Sequence, residues 1–85
     1  MNSEKTREII KKKEVELKEL FEKFDNIIKQ NPEDFTGLDE IRHRAIELSE
    51  DLEKAKKESN DYSLFSSIIS DFYVLERSID EALGL

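Results

Sequence analysis

The chain has no cysteine, no tryptophan, one proline and two glycines. Without cysteine there can be no structural disulfide and no thiolate-bound metal. So few prolines and glycines leave few points at which a helix must break, and long helices become the default. Gly37 and Gly84 stand far apart, so no glycine-rich phosphate loop can form. No apolar run exceeds the four residues 72–75, which excludes a membrane-spanning segment. The N-terminal stretch carries lysines but no apolar core of the kind a secretory signal needs. A cytoplasmic protein, probing no membrane, is the expectation from these absences.

What the chain does contain is charge. Charged residues make up 41% of its 85 residues, with 21 acidic against 14 basic and a net charge of -7. Residues 1–30 carry +1, whereas residues 31–60 and 61–85 each carry -4. General affinity for nucleic acid needs the opposite balance, so no nucleic-acid partner is expected. Mean hydropathy is -0.70, yet the apolar residues recur regularly, which argues against disorder. A chain of this length forms one domain and hides only roughly 60–65% of its unfolded surface, so the core is thin.

The organising stretch is the last one. Phe65, Ile68, Phe72, Leu75, Ile79 and Ala82 follow at alternating steps of three and four, one seam of an α-helix. A similar seam, Leu38, Ile41, Ala45, Leu48, Leu52 and Ala55, marks a middle helix, whose two alanines admit a close neighbour. Leu17, Leu20, Phe21, Phe24, Ile27 and Ile28 give a denser stripe to the second half of a first helix. Its first half keeps only Ile9 and Ile10, and Lys13 falls on the seam, so that end is expected to be less buried and to project beyond the bundle.

Capping residues set the boundaries. Ser3 is a candidate first cap, and Glu8–Lys12, Glu14–Lys18, Glu19–Lys23 and Asp25–Lys29 are acid-to-base pairs in the favourable order. Asn31-Pro32-Glu33-Asp34 ends the first helix, with Asn31 or Thr36 as the cap of the second. Ser59-Asn60-Asp61 supplies the next connection, and Gly84 suits a Schellman ending in which Leu85 folds back on Ile79. The expectation is an all-α, up-down-up (antiparallel) three-helix bundle with heptad-type packing, helices at about 3–29, 37–58 and 61–83. The expected core is Leu17, Leu20, Phe24, Ile27, Leu38, Ile41, Leu48, Leu52, Phe65, Ile68, Phe72, Leu75 and Ile79.

Candidate chemistry is sparse. Asp39, His43 and Glu47 share one helix face at i, i+4 and i+8, an oxygen–nitrogen–oxygen set, but all three lie off the seam and no metal site is expected. Asp71, Glu76, Asp80 and Glu81 would need a desolvated pocket to act as an acid–base pair. No serine has a base near it in sequence, and Lys11, Lys12 and Lys13 point in different directions on a helix. The chain is therefore read as non-catalytic, without cofactor or metal.

Two surfaces remain. The outer side of the third helix presents Ser63, Ser66, Ser67, Ser70, Tyr73 and Val74, with Ile69 at its margin, and Asp71 is the only charge between Tyr62 and Leu75. Such a face suits a protein partner or a second copy of the chain, giving a homodimer. At the far end of the bundle Glu76, Asp80 and Glu81 join Asp25, Glu33, Asp34, Asp39 and Glu40 in an acidic end. The alternative expectation is thus an acidic inhibitor or immunity-type protein that blocks a basic partner. A small, charged helical bundle with short connections resembles bacterial groups such as the immunity proteins against pediocin-like bacteriocins. Those are four-helix bundles with a C-terminal extension, and the likeness is one of architecture.

Overall fold

The computed structural model describes residues 3–85, with side chains from residue 4 onward. Three helices run in order, α1 (Ser3–Gln30), α2 (Phe35–Glu58) and α3 (Tyr62–Leu83), and each packs on the other two. The molecule measures 43 × 21 × 16 Å. An α1 of 28 residues accounts for the long dimension, since each residue rises about 1.5 Å.

The apolar seams build the core. Leu38, Leu52, Phe65, Phe72, Leu75 and Ile79 are completely buried, and Leu17, Leu20, Ile41, Leu48 and Ile68 are nearly so. Phe24 and Ile27 pack against this core from α1 but stay partly exposed. The closest pairing is α2 with α3. Ala45, fully buried on the α2 seam, lets the two backbones approach where a larger side chain would hold them apart.

The first half of α1 does not project. Ile9 and Ile10 pack against the core, and Thr6 is 0% exposed, its hydroxyl lacking a partner among the described residues. Lys13 occupies the seam and keeps only 17% of its side chain exposed. Its Nζ reaches Asp51 of α2 at 3.7 Å and Glu16 at 4.0 Å, so the aliphatic stem covers the core while the ammonium stays in a polar rim. Ser3 is the first helical residue of α1 rather than its cap, and the capping position lies outside the described residues.

The turn into α2 is capped by neither Asn31 nor Thr36. Asp34 takes that place, its Oδ1 accepting from the Gly37 amide at 3.0 Å while its carbonyl accepts from Leu38. Gly37 makes this possible, since a Cβ there would collide with Asp34 Oδ2. At the other turn Ser59 is buried and its hydroxyl accepts from the Asp61 amide, which orders the connection. Asp61 precedes α3 without a side-chain capping bond.

The end of α3 has the hydrogen bonds of a Schellman motif. Gly84 sits at φ 79°, its amide donates to Glu81 and the Leu85 amide donates to Asp80 at 2.8 Å. Leu85 itself is 79% exposed, so its side chain does not fold back on Ile79. The ion pairs that close also differ from the i,i+4 set expected on α1. Glu16 binds Arg44 across the helices at 3.1 Å, and Arg44 also reaches Glu47 at 3.3 Å.

Candidate helix-docking face

The outer side of α3 follows from its period. With Phe65, Ile68, Phe72, Leu75 and Ile79 turned inward, the residues half a turn away must face outward. Ser63, Ser67, Ser70, Tyr73 and Val74 are exposed there, and Ser66 is partly covered. Tyr73 is 50% and Val74 57% exposed, which places two sizeable apolar surfaces beside small serines. Ile69 does not join them. At 4% exposure it belongs to the core, because close packing against α2 widens the buried arc of α3 beyond its strict seam.

The face divides in two. Ser63 and Ser67, with Leu64, line a groove of about 430 Å³ against Arg7, Ile10 and Glu14 of α1. Ser70, Tyr73 and Val74 line a separate shallow groove of about 340 Å³, continued by Arg77, Ser78 and Glu81. Arg77 and Ser78 belong to this face as well, beyond the stretch from Tyr62 to Leu75 whose lack of charge marks it in the sequence. They lie three and four positions beyond Val74, on the same outward period of the helix.

Two hydrogen bonds stiffen this second groove. Tyr73 donates from its hydroxyl to Glu53 Oε1 of α2 at 3.0 Å, and that bond, aided by partial desolvation and the Glu53 charge, holds the phenol protonated above its ordinary range. The ring is therefore anchored across the α2–α3 boundary instead of carrying a free hydroxyl at a rim. Ser78 turns its hydroxyl back onto the Val74 carbonyl at 2.9 Å, which withdraws a polar group from the surface.

The acidic end is partly neutralised within the chain. Arg42 Nε donates to Asp80 Oδ1 at 2.6 Å, and this contact raises the guanidinium pKa. Glu76 is pushed above the usual carboxylate range, first by burial and then by the charge of Asp80, while Arg42 opposes the shift. Its Oε2 is buried without a hydrogen-bond partner. Only Glu81 of the three remains fully at the surface.

His43 approaches Asp39 at 3.8 Å, but Glu47 is drawn to Arg44. Among the described residues no group of three His, Cys, Asp or Glu side chains could hold a metal. Nor, among them, is any helix long and apolar enough to cross a membrane. No protein-family model matches the sequence, and comparisons with curated proteins and with solved structures return no match.

Proposed function

We propose that this protein is a non-catalytic helix-docking module whose working surface is the outer face of α3 around Ser70, Tyr73 and Val74, and that the occupant of that face is a second copy of the chain. The observation that carries this reading is the half-exposed Tyr73–Val74 pair set among small serines. The outward sides of α1 and α2 are dense with lysine and glutamate, which lose hydration on burial and oppose a contact. Serines give up little rotamer freedom and let another helix come close. Tyr73 is already held by Glu53, so docking would order little that is not ordered beforehand.

The test is a double substitution, Ser70→Glu with Val74→Lys. Both side chains are exposed, so helicity and melting temperature should hold. Association measured by sedimentation equilibrium should weaken by a few kcal/mol, because both charges would lose water without partners. If the double variant associates like the parent, the contact lies elsewhere.

A further inference from the structure

The stripe that runs down the outer face of α3 does not end at Val74. Ser70, Val74, Arg77 and Glu81 succeed one another at steps of four, three and four, so they share one line on the helix surface. Arg77 and Glu81 are both exposed, and their side chains have no hydrogen-bond or ion-pair partner among the described residues. Base before acid at i,i+4 is the less favourable order within a helix, which fits their failure to close on each other. Glu81 also sits in the last turn of α3, where the helix dipole is negative and no basic residue stands. That turn lacks a cation.

Building on the docking face proposed above, we infer that the second copy lies antiparallel on α3 across a two-fold axis level with Ile79, so that Arg77 of each copy pairs with Glu81 of the other. A two-fold at that height sends position 77 onto 81 and 81 onto 77, on the same side of the contact. One alignment therefore satisfies both charges twice and brings a guanidinium to each C-terminal turn. The same alignment sets Val74 opposite Gly84 of the second copy, where the absence of a Cβ leaves open space. It sets Tyr73 opposite Leu85 of the second copy, matching two of the more exposed apolar side chains of the molecule. Ser63, Ser66 and Ser67 then fall beyond the overlap, Ser70 stands at its edge three positions past the Tyr73–Leu85 match, and the contact is a short one confined to the C-terminal half of α3.

Charge exchange tests the alignment. Arg77→Glu alone would set glutamate against glutamate, and Glu81→Arg alone would set arginine against arginine. Each should weaken self-association at low salt by roughly tenfold or more. Mixing the two variants should restore association to within about threefold of the parent, since each then meets its complement. The Glu81→Arg result is the more telling one. It brings the net charge of -7 nearer zero, so a general charge effect would strengthen association where the pairing weakens it. Circular dichroism on each variant checks that the exposed substitutions leave the fold intact. If Ser70→Glu/Val74→Lys abolishes association while both single variants and their mixture behave like the parent, the docking face stands and this alignment is overturned. If the parent stays monomeric up to millimolar concentration, the second copy itself is overturned as the occupant.

Discussion

The seam between α2 and α3 and the first half of α1 solve the same problem with different materials. Between α2 and α3 every seam position is apolar, Ala45 permits close approach, and Leu52, Phe65, Phe72 and Leu75 lose all contact with water. Along the first half of α1 the seam reads Thr6, Ile9, Ile10 and Lys13, two polar residues around two isoleucines that stay partly exposed. Both regions are covered, but only one is covered by matched apolar surface. Burial by itself therefore says little about which region holds the molecule together; what is buried decides it.

The strongest way to break the contrast is Phe72→Ala. Phe72 is wholly enclosed, so its loss should cost about 3–5 kcal/mol through transfer and cavity terms. That is a large share of the ~5–15 kcal/mol available to a small domain. Urea titration of the variant checks this, and a melting temperature within a degree or two of the parent would displace Phe72 from the centre of the core.

The weaker region should respond in the opposite direction. Thr6 buries a hydroxyl that finds no partner among the described residues. Thr6→Val keeps the shape and removes the desolvated group, so it should stabilise by about 1 kcal/mol. For a domain of this size that is about 4–8 °C in melting temperature. A loss of stability would mean that the hydroxyl has a partner in solution, and the contrast between the two regions would shrink.

How far this contrast was legible beforehand depends on which force chose each residue's place. The α2 and α3 seams could be read directly, because apolar residues at alternating steps of three and four leave a helix one way to hide them. Ile69 could be placed only at the margin between seam and outer face, since its burial depends on how closely α2 approaches rather than on the period of α3 alone. The cap of α2 was equally hidden. Asn31, Asp34 and Thr36 can all cap, and the turn geometry, with the space left by Gly37, selects Asp34. On α1 none of the four expected i,i+4 pairs closes among the described residues, and the ion pairs that reach α2 come from Lys13 and Glu16 instead. Local spacing does not decide where long charged side chains on a bundle surface settle. On the docking face, Ser70, Tyr73 and Val74 are legible as exposed, whereas a charged residue such as Arg77 looks in sequence like any other solvated position.

The α2 start, where the well-packed seam begins, offers a test with a change of sign. Gly→Ala inside a helix ordinarily gains about 1 kcal/mol. At Gly37 the new Cβ would collide with the Asp34 carboxylate and crowd Ile27 Cδ1 at 3.1 Å, so Gly37→Ala should be neutral or slightly destabilising in the parent. Asp34→Ala alone should cost about 1 kcal/mol by removing the cap. In that background Gly37→Ala should recover about half of the loss, a coupling that a double-mutant cycle measures. Independent, additive effects would show that the cap and the glycine do not depend on each other.

The smallest effect lies on the flank of the better-packed pair, at Glu76. Burial, reinforced by Asp80 and Glu50 against the pull of Arg42, raises its folded-state pKa, so the native chain holds this proton more tightly than the unfolded chain does. The linkage then has a definite sign. The contribution of Glu76 to stability is fully present below the ordinary carboxylate range and is lost as pH rises through its raised folded value. At neutral pH the ionised group opposes folding, though its partial exposure lets solvent screen most of the cost. Glu76→Gln keeps the shape and abolishes the ionisation, so it should melt slightly higher than the parent at neutral pH, by a few tenths of a kcal/mol. The gap should narrow as pH falls through the raised pKa, since the parent carboxyl then also becomes neutral. Paired melting curves across that range measure the gap. A glutamine variant that melts lower at neutral pH, with the deficit closing in acid, would mean that attraction to Arg42 outweighs desolvation, and Glu76 would move from the costs of the α2–α3 pair to its supports.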